Sequence, residues 1–238
     1  MVHLILNINL NYFPYIMIEP ILLTHTVKKQ VCKNDSKKYY RFRKTHFYGG
    51  CATADCVGCN LRCVYCWAQK KVWYPQKFGK FYSPESVAER LLKMKQPLIR
   101  VNGGEPTIGK DHLLKLLSYV PENVVFILET NGLLLDEEYV KELSKFKNLY
   151  VRVSLKGVDE QTFEQNTGAD GRLFNNQLNA LAWLKKFGVR HRAALLYNIY
   201  TKKQINSLGI SDLEYEALIK YDFVLQNLRK NGIGIVNE

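Results

Sequence analysis

Three cysteines lie within eight residues of one another in the stretch CNLRCVYCW. Cys59, Cys63 and Cys66 have the spacing C-x3-C-x2-C. Thiolates are soft ligands that favour zinc, Cu(I) or iron–sulfur clusters. Five of the six cysteines fall between Cys51 and Cys66, which is too dense for a spread-out disulfide framework. Because the chain opens without an export signal, they indicate a metal site in a reducing, cytoplasmic compartment.

The number of open metal positions separates the alternatives. A structural zinc site normally has four ligands from two separated pairs. Cys56 with Cys59 and Cys63 with Cys66 would supply two pairs, but only three residues stand between them. Three cysteines can instead hold three irons of a [4Fe–4S] cube and leave the fourth iron open for chemistry. The cysteines alone leave a zinc-binding module, a non-catalytic iron–sulfur carrier and a catalytic cluster as alternatives.

The chain that must position these thiols alternates between strand and helix patterns from residue 45 onward. Its predicted strands span residues 45–55, 97–104, 123–132, 148–157, 189–200 and 233–236. The predicted helices span residues 83–94, 110–120, 136–146, 171–188 and 211–232, the last as one helix or a pair. Strands separated by helices predict a parallel sheet, and ligands of such sheets bind at the carboxyl ends of the strands.

The first 44 residues differ from the rest in composition. Residues 28–44 carry eight basic residues and one acid. Residues 6–12 alternate apolar side chains with asparagines, which is typical of a strand with one wet face. We interpret residues 1–44 as a basic N-terminal extension, for which a hairpin on the edge of the main domain is one arrangement, and residues 45–238 as the main domain. No stretch approaches the ~20 apolar residues needed to cross a bilayer, so no membrane partner is expected.

Polar residues and glycines occupy the carboxyl ends of four successive predicted strands. The cysteine loop follows the first strand, NGGEP the second, ETNG the third and SLKG the fourth. A purely structural sheet has less reason to concentrate such residues there. Gly103 and Gly104 allow close approach of the backbone to a ligand, and the carboxylate of Glu105 can accept a charge-assisted hydrogen bond.

Together these features resemble the radical S-adenosylmethionine (radical SAM) superfamily. GCNLRCVYCW is similar to its cysteine signature, with an aromatic residue just before the last cysteine, and VNGGEP is similar to its Gly-Gly-Glu motif. ETNG is similar to the family's Thr-Asn-Gly turn, and VSLKG resembles the ribose motif of the enzymes that activate glycyl-radical enzymes. The resemblance covers approximately residues 45–200. It implies an α/β fold, a partial (β/α)6 barrel of the radical SAM type with a short N-terminal extension.

The resemblance also implies a role for each motif. Cys59, Cys63 and Cys66 would bind a [4Fe–4S] cluster, and Tyr65 would lie against the adenine of SAM. The other cofactor-binding residues would be Gly103, Gly104, Glu105, Thr130, Asn131, Ser154 and Lys156. Of these, the Gly-Gly-Glu motif would bind the methionine ammonium, and the lysine would pair with the carboxylate of SAM. The serine stands where the family often has aspartate, and it would bind the ribose more weakly.

The implied function is reductive cleavage of SAM to a 5'-deoxyadenosyl radical that abstracts a hydrogen atom. An external one-electron donor such as ferredoxin or flavodoxin would supply the electron. The remaining cysteines, Cys32, Cys51 and Cys56, are expected to be small buried hydrophobic residues rather than ligands of an auxiliary cluster.

The substrate stays open between two classes. The sequence predicts no further module after the main domain, and in this respect the chain resembles the glycyl-radical activating enzymes, whose substrate is a protein. RNA modification is the alternative, because the formal net charge of +12 favours anionic partners. Basic and aromatic residues also mix in residues 37–44 and 70–82, as in proteins that stack on bases and neutralise phosphates. The excess of lysine is equally expected of a surface that only keeps the chain soluble.

Overall fold

A nine-stranded sheet forms the centre of the computed structural model, which describes residues 18–236. Its strands are β1 (Cys32–Lys33), β2 (Ser36–Thr45), β3 (Cys51–Cys56), β4 (Lys80–Tyr82), β5 (Leu98–Gly103), β6 (Val125–Thr130), β7 (Leu149–Leu155), β8 (Arg190–Leu196) and β9 (Leu213–Glu216). The α-helices are α1 (Pro20–Val31), α2 (Gln69–Trp73), α3 (Pro84–Leu92), α4 (Lys110–Ser118), α5 (Glu137–Leu143), α6 (Glu160–Thr167), α7 (Phe174–Lys186), α8 (Lys202–Ser207) and α9 (Asp222–Lys230).

Six of the strands are parallel and follow one another in the order β3-β5-β6-β7-β8-β9. The antiparallel strands β1, β2 and β4 extend the sheet on the β3 side. Within the described residues β3 and β9 do not pair with each other, so the sheet is not closed. The predicted α/β fold and partial (β/α)6 barrel are confirmed.

The sixth parallel strand is not the predicted one. Residues 233–236, predicted as a strand, have no regular structure. The strand is β9, which lies inside residues 211–232, predicted as helical; only α9 is a helix there. The prediction was wrong because it followed the helix preference of Glu and Leu. The residues LEYE also alternate with a period of two, which is the pattern of a strand. Both glutamates of β9 bond to Arg152 of β7, and this tertiary contact favours the strand.

Helix starts follow the local sequence where they were predicted. Ser83 caps α3 by accepting a hydrogen bond from the backbone N–H of Ser86 at 3.2 Å, and Pro84 follows at the first turn. Asp136 caps α5 in the same way, accepting from the N–H of Tyr139 at 2.8 Å. The helices α1, α2, α6 and α8 were not predicted; α2 and α8 are too short to show a clear helical period.

The N-terminal segment packs against the barrel. The strands β1 and β2 form a hairpin, and β2 pairs with β3 along the sheet. Val27 and Val31 of α1 are buried against Val57 and Ile108. The division of the chain at residue 45 stays a prediction, and the alternating residues 6–12 lie outside the described residues.

The two faces of the parallel sheet differ in polarity. Outward-facing residues such as Val101, Leu128 and Val153 belong to one large apolar core with the helices. The alternate residues point to the inner, concave face, because successive side chains of a strand lie on opposite sides. Here Glu129 stands opposite Arg152. The inner face is therefore lined by charged and polar side chains.

Helix length and polarity bear on the membrane prediction. The longest helix between residues 18 and 236 is α7 with 13 residues, and no helix of that range is both long and apolar enough to span a bilayer.

Candidate functional site

The cysteine loop, residues 57–68, follows β3 at the carboxyl ends of the parallel strands. Its Leu61 is buried in an apolar cluster with Phe163. The backbone N–H of Val64 donates to the carbonyl of Asn166 at 2.9 Å. The loop is therefore held by α6 as well as by the strand that it follows.

The structure places the three predicted thiols on one loop, within range of one another's charge. Cys59, Cys63 and Cys66 are partly buried and close enough to perturb one another electrostatically. Burial raises the pKa of the Cys59 thiol to about 12 and those of Cys63 and Cys66 to about 11. Because metals bind the thiolate, loading this site would release protons.

The donor set fits a cluster better than a single ion. Between residues 18 and 236 no three His, Cys, Asp or Glu side chains are gathered tightly enough to hold one metal ion. Cys56, which the zinc alternative needs, is fully buried in the main apolar core. Cys51 is also fully buried, and Cys32 is partly buried. Three thiols of one loop without a fourth ligand match three corners of a cube.

Polar groups without partners surround the thiols. The Nδ2 of Asn60 and the hydroxyl of Tyr65 are buried and find no hydrogen-bond partner in the described part of the chain. An unmade bond of this kind costs about 1–3 kcal/mol. The guanidinium of Arg62 lies beside the thiols, donates to the carbonyl of Cys59 at 2.7 Å and lies 5.3 Å from the ring of Trp73. These groups fit a bulky anion, such as a thiolate-bound cluster with its ligand.

The two glycines of the NGGEP turn bring β5 against the cysteine loop. The N–H of Gly104 donates to the carbonyl of Cys56 at 2.9 Å, and the N–H of Glu105 donates to that of Gly58 at 2.7 Å. A Cβ on Gly104 would lie 2.0 Å from the Gly58 oxygen. Gly103 has φ +99°. The two glycines were predicted to allow a ligand to approach the backbone closely. Their contacts show that they allow the cysteine loop to approach it closely.

Glu105 ties the ends of two strands together. The side chain is 1% exposed. Its Oε1 accepts from the N–H of Thr107 at 3.1 Å, the hydroxyl of Thr107 at 2.7 Å and that of Thr130 at 2.7 Å. Its Oε2 accepts from the N–H of Asn131 at 2.7 Å. Room for one more donor, such as an ammonium, remains only at Oε2. The amide of Asn131 in turn donates to the Oδ1 of Asn60 at 2.8 Å.

Ser154 and Lys156 lie together at the end of β7. The ammonium of Lys156 donates to the hydroxyl of Ser154 at 2.7 Å, and that hydroxyl donates to Glu216 at 3.1 Å. Burial would raise the pKa of the Glu216 carboxyl, but Arg152 and Lys156 outweigh it and hold that pKa below its ordinary value. A carboxylate of β9 thus lies beside Ser154 at the end of β7.

Sequence reasoning missed the residues that join these groups. Buried Gln177 of α7 donates to the carbonyl of Asn131 and, at 3.2 Å, to that of Ser154. The amide of Asn166 donates to the carbonyl of Lys156 at 2.9 Å. An isolated Gln or Asn in a helix gives no signal in the sequence. The alternation of LEYE was the available signal for Glu216.

Comparison with known proteins bears on the identity of this arrangement. The family model described as the radical SAM superfamily matches residues 55–206. Fe-coproporphyrin III synthase of Methanosarcina barkeri is 31% identical over 182 residues, 76% of this chain and 44% of that protein. A probable GTP 3',8-cyclase of Methanococcus vannielii is 31% identical over 117 residues, 47% of this chain and 38% of that protein. The chain thus spans less than half the length of these two relatives.

Solved structures of similar fold support the architecture. The Streptococcus suis protein SuiB bound to the precursor peptide SuiA has a TM-score of 0.58 and 18% identity, over 75% of this chain and 46% of that chain. The protein anSMEcpe with bound AdoMet has a TM-score of 0.52 and 23% identity, over 73% of this chain and 55% of that chain. At these identities the likeness concerns the fold.

Proposed function

The chain belongs to the radical SAM superfamily, and from that premise we propose that it cleaves S-adenosylmethionine reductively at a [4Fe–4S] cluster held by Cys59, Cys63 and Cys66. When bound, the cluster supplies the electron that splits SAM into methionine and a 5'-deoxyadenosyl radical, which abstracts a hydrogen atom. The observation that carries the proposal is the gathering of three thiols on one loop whose backbone is bonded to the NGGEP turn.

The protein's own part at the cluster is to hold the loop and to balance charge. The bonds from Gly104 and Glu105 to the start of the loop fix where it leaves β3. Arg62 places a cation beside the three thiols, which offsets the negative charge that thiolates bring to a partly buried site. Tyr65 carries a buried hydroxyl without a partner in residues 18–236. Its ring would lie against the adenine of SAM.

The ends of SAM would meet groups of matching charge. Lys156 would pair with the carboxylate of the methionine part. Ser154 and Glu216 would accept from the ribose hydroxyls, and the carboxylate supplies the stronger acceptor. The ammonium would use the remaining capacity of Glu105 at Oε2 and backbone carbonyls near Gly103. Thr130 and Asn131 contribute by holding Glu105 in place.

We propose a small polar molecule as the substrate. Of the two relatives above, one is named for the synthesis of a tetrapyrrole and the other for the cyclisation of a nucleotide. The tetrapyrrole and the nucleotide each carry several anionic groups. The activating-type reading, in which a glycyl-radical protein is the substrate, remains the alternative. Copurification of such a protein from an anaerobic host would favour the alternative.

A basic face beside the cysteine loop suits an acidic electron donor. It consists of Lys70, Lys71, Lys77 and Lys80 of the segment that follows the loop, together with Lys38, whose ammonium donates to the carbonyl of Pro75 at 3.2 Å. Residues 69–82 contain no acid. The helix α2 starts three residues after Cys66, and the carbonyl of Lys71 accepts from the N–H of Gly58 at 3.2 Å. Because charge complementarity speeds encounter, we infer that a ferredoxin or flavodoxin docks on this face.

RNA fits the same face less well. Lys71 lies 5.6 Å from the ring centroids of Tyr40 and Phe78, and Lys77 lies 5.3 Å from that of Tyr74. A lysine ammonium of the chain itself therefore competes for one face of each of these three rings. RNA as a partner and a cytoplasmic location both stay predictions.

The experiment that tests the proposed function is anaerobic reconstitution with iron and sulfide. About four irons per chain are expected, and after one-electron reduction with dithionite the cluster should give a signal in electron paramagnetic resonance that changes when SAM is added. A content of one zinc, or a signal that SAM leaves unchanged, would contradict the proposal. About eight irons per chain would mean that Cys32, Cys51 and Cys56 hold a second cluster.

A further inference from the structure

Two rows of polar side chains cross the inner face of the sheet below the cysteine loop. Strand pairing sets β2, β3 and β5 side by side. The upper row is Arg41, Asp55 and Asn102, and the lower row is Arg43, Thr53 and Arg100. We call these six residues the arginine grid. The row of Asp55 lies immediately before Cys56, at the end of β3, and Arg41 lies 5.8 Å from the ring of Trp67, which follows Cys66.

The grid carries more positive charge than its neighbouring acids neutralise. Asp55 is fully buried and accepts from the Nε of Arg41 at 2.6 Å and the Nε of Arg43 at 2.9 Å. Arg100 has a separate partner in Glu129, at 2.7 Å. One carboxylate therefore serves two guanidinium groups on β2, whose side chains are 43% and 29% exposed. The excess cation stands where a ligand can reach it.

Two buried atoms of the grid have no partner. The Nη1 of Arg100 and the Oδ1 of Asn102 are enclosed and make no hydrogen bond to any residue from 18 to 236. They lie two residues apart on the same side of β5, so they face the same space. Buried polar atoms are nearly always paired in folded proteins. One is a donor and the other an acceptor, so a ligand that satisfies both must itself accept and donate.

Strand association alone does not explain the grid. A single arginine is enough to neutralise Asp55 and fasten β2 to β3. A second arginine on the same carboxylate, with Arg100 on the next strand, adds repulsion between like charges on one face. An anion between these side chains removes that repulsion and completes their hydrogen bonds.

We propose that the arginine grid binds the anionic part of the substrate. A phosphate or carboxylate group lies against Arg41 and Arg43 and accepts from Arg100, and an O–H or N–H group of the same molecule donates to Asn102. This inference rests on the proposed function, because it places the substrate on the face below the loop that would hold the cluster. Binding at the grid is nevertheless measurable without turnover.

The test is calorimetric titration of the reconstituted protein, loaded with SAM, with GTP and with citrate. Both probes carry oxyanions and hydroxyl groups, one as phosphates and the other as carboxylates. At least one is expected to bind with a Kd below about 1 mM. Arg41→Gln is expected to weaken that binding about tenfold or more, while Arg43 keeps Asp55 paired.

Arg192→Gln is the matched control. Arg192 is 44% exposed, like Arg41, and is paired with one acid, Asp212, at 2.9 Å. Binding in this variant should equal that of the unchanged protein. Binding of GTP alone supports a phosphate site, and binding of citrate alone supports a carboxylate site.

Two results would overturn the inference: neither probe binds, or both variants lose affinity equally. Failure of the proposed function has a different signature. A protein that binds the probe at the grid but never produces 5'-deoxyadenosine from SAM would contradict the proposed chemistry and leave the oxyanion site in place.

Discussion

The carbonyl oxygen of Gly58 lies 2.0 Å from the position that a Cβ atom would take on Gly104. No side chain fits between these two backbones, so the NGGEP turn and the cysteine loop can meet only if residue 104 is glycine. The contact makes the position of the thiols depend on the end of the neighbouring strand.

Replacing that glycine should displace the loop. Gly104→Ala forces backbone apart from backbone, and we expect it to lower the free energy of unfolding by about 1–3 kcal/mol and to reduce iron binding. Iron per chain after reconstitution and the thermal midpoint measure both effects. Gly234→Ala is the control, since no atom lies within 4 Å of the position that its Cβ would take and its φ is not positive. Equal iron content in both variants would contradict this account.

A second prediction concerns the carboxylate supplied by β9. Glu216→Gln removes the charged acceptor beside Ser154, and we expect the Kd for SAM to rise about threefold to tenfold. Equilibrium binding of SAM to the reconstituted protein gives this value. Glu214→Gln is the matched control, because Glu214 bonds to Arg152 at 2.6 Å without reaching Ser154. If both variants weaken SAM binding alike, Glu216 acts only through Arg152.

Stability should fall on acidification because of His112. Its Nδ1 bonds to the carbonyl of Asp35 at 2.7 Å and its Nε2 bonds to the hydroxyl of Tyr39 at 2.9 Å. Burial, with a smaller contribution from Lys37, lowers the pKa of His112 from 6.5 to about 4. The unfolded chain therefore takes up the proton first as the pH falls. Stability from this group is complete above pH 6.5 and is lost toward pH 4, by roughly 2–3 kcal/mol.

Urea unfolding between pH 7.5 and pH 4.5 measures this loss. His112→Gln should flatten the dependence on pH, although it lowers stability at neutral pH by removing the bond to Tyr39. Exposed His46→Gln should follow the unchanged protein. A curve for His112→Gln that is as steep as that of the control would show that other groups cause the acid sensitivity.

Charge reversal tests the basic face. Lys70→Glu with Lys77→Glu places acids where an acidic donor would dock, and we expect reduction of the cluster by flavodoxin to slow about tenfold at low salt. Reduction by dithionite should be unchanged, because that small reagent needs no docking face. Lys141→Glu with Lys145→Glu, both exposed and on α5 or just after it, provides the control. Equal slowing by both pairs of substitutions, or no slowing by the first pair, would exclude this face as the docking site. RNA does not affect the result, because the assay contains no RNA.

How much of this was predictable depends on the range of the interactions. Local residue types and spacing were enough to predict the thiols, the NGGEP turn and the polar end of β7. Gln177 and Asn166 do not, because their bonds to the carbonyls of Ser154 and Lys156 join residues that are far apart in the chain. The strand β9 was missed for the same reason, because its glutamates bond to Arg152, which is also far away in the chain.

The arginine grid shows a second limit. From the sequence alone, a run of basic residues such as the one around Arg41 and Arg43 is expected to form a solvated surface. Only the pairing of β2 with β3 reveals that both arginines share the buried carboxylate of Asp55. Charge in a sequence can be counted, but the face on which it lies is a property of strand register.

The most direct test of the account is the product formed from SAM by the anaerobically reconstituted protein with dithionite. We predict 5'-deoxyadenosine together with methionine, and no such product from variants in which Cys59, Cys63 or Cys66 is replaced by alanine. Retention of SAM cleavage in any of these three variants, or an iron-loaded unchanged protein that leaves SAM intact, would contradict the claim that these thiols hold a catalytic cluster.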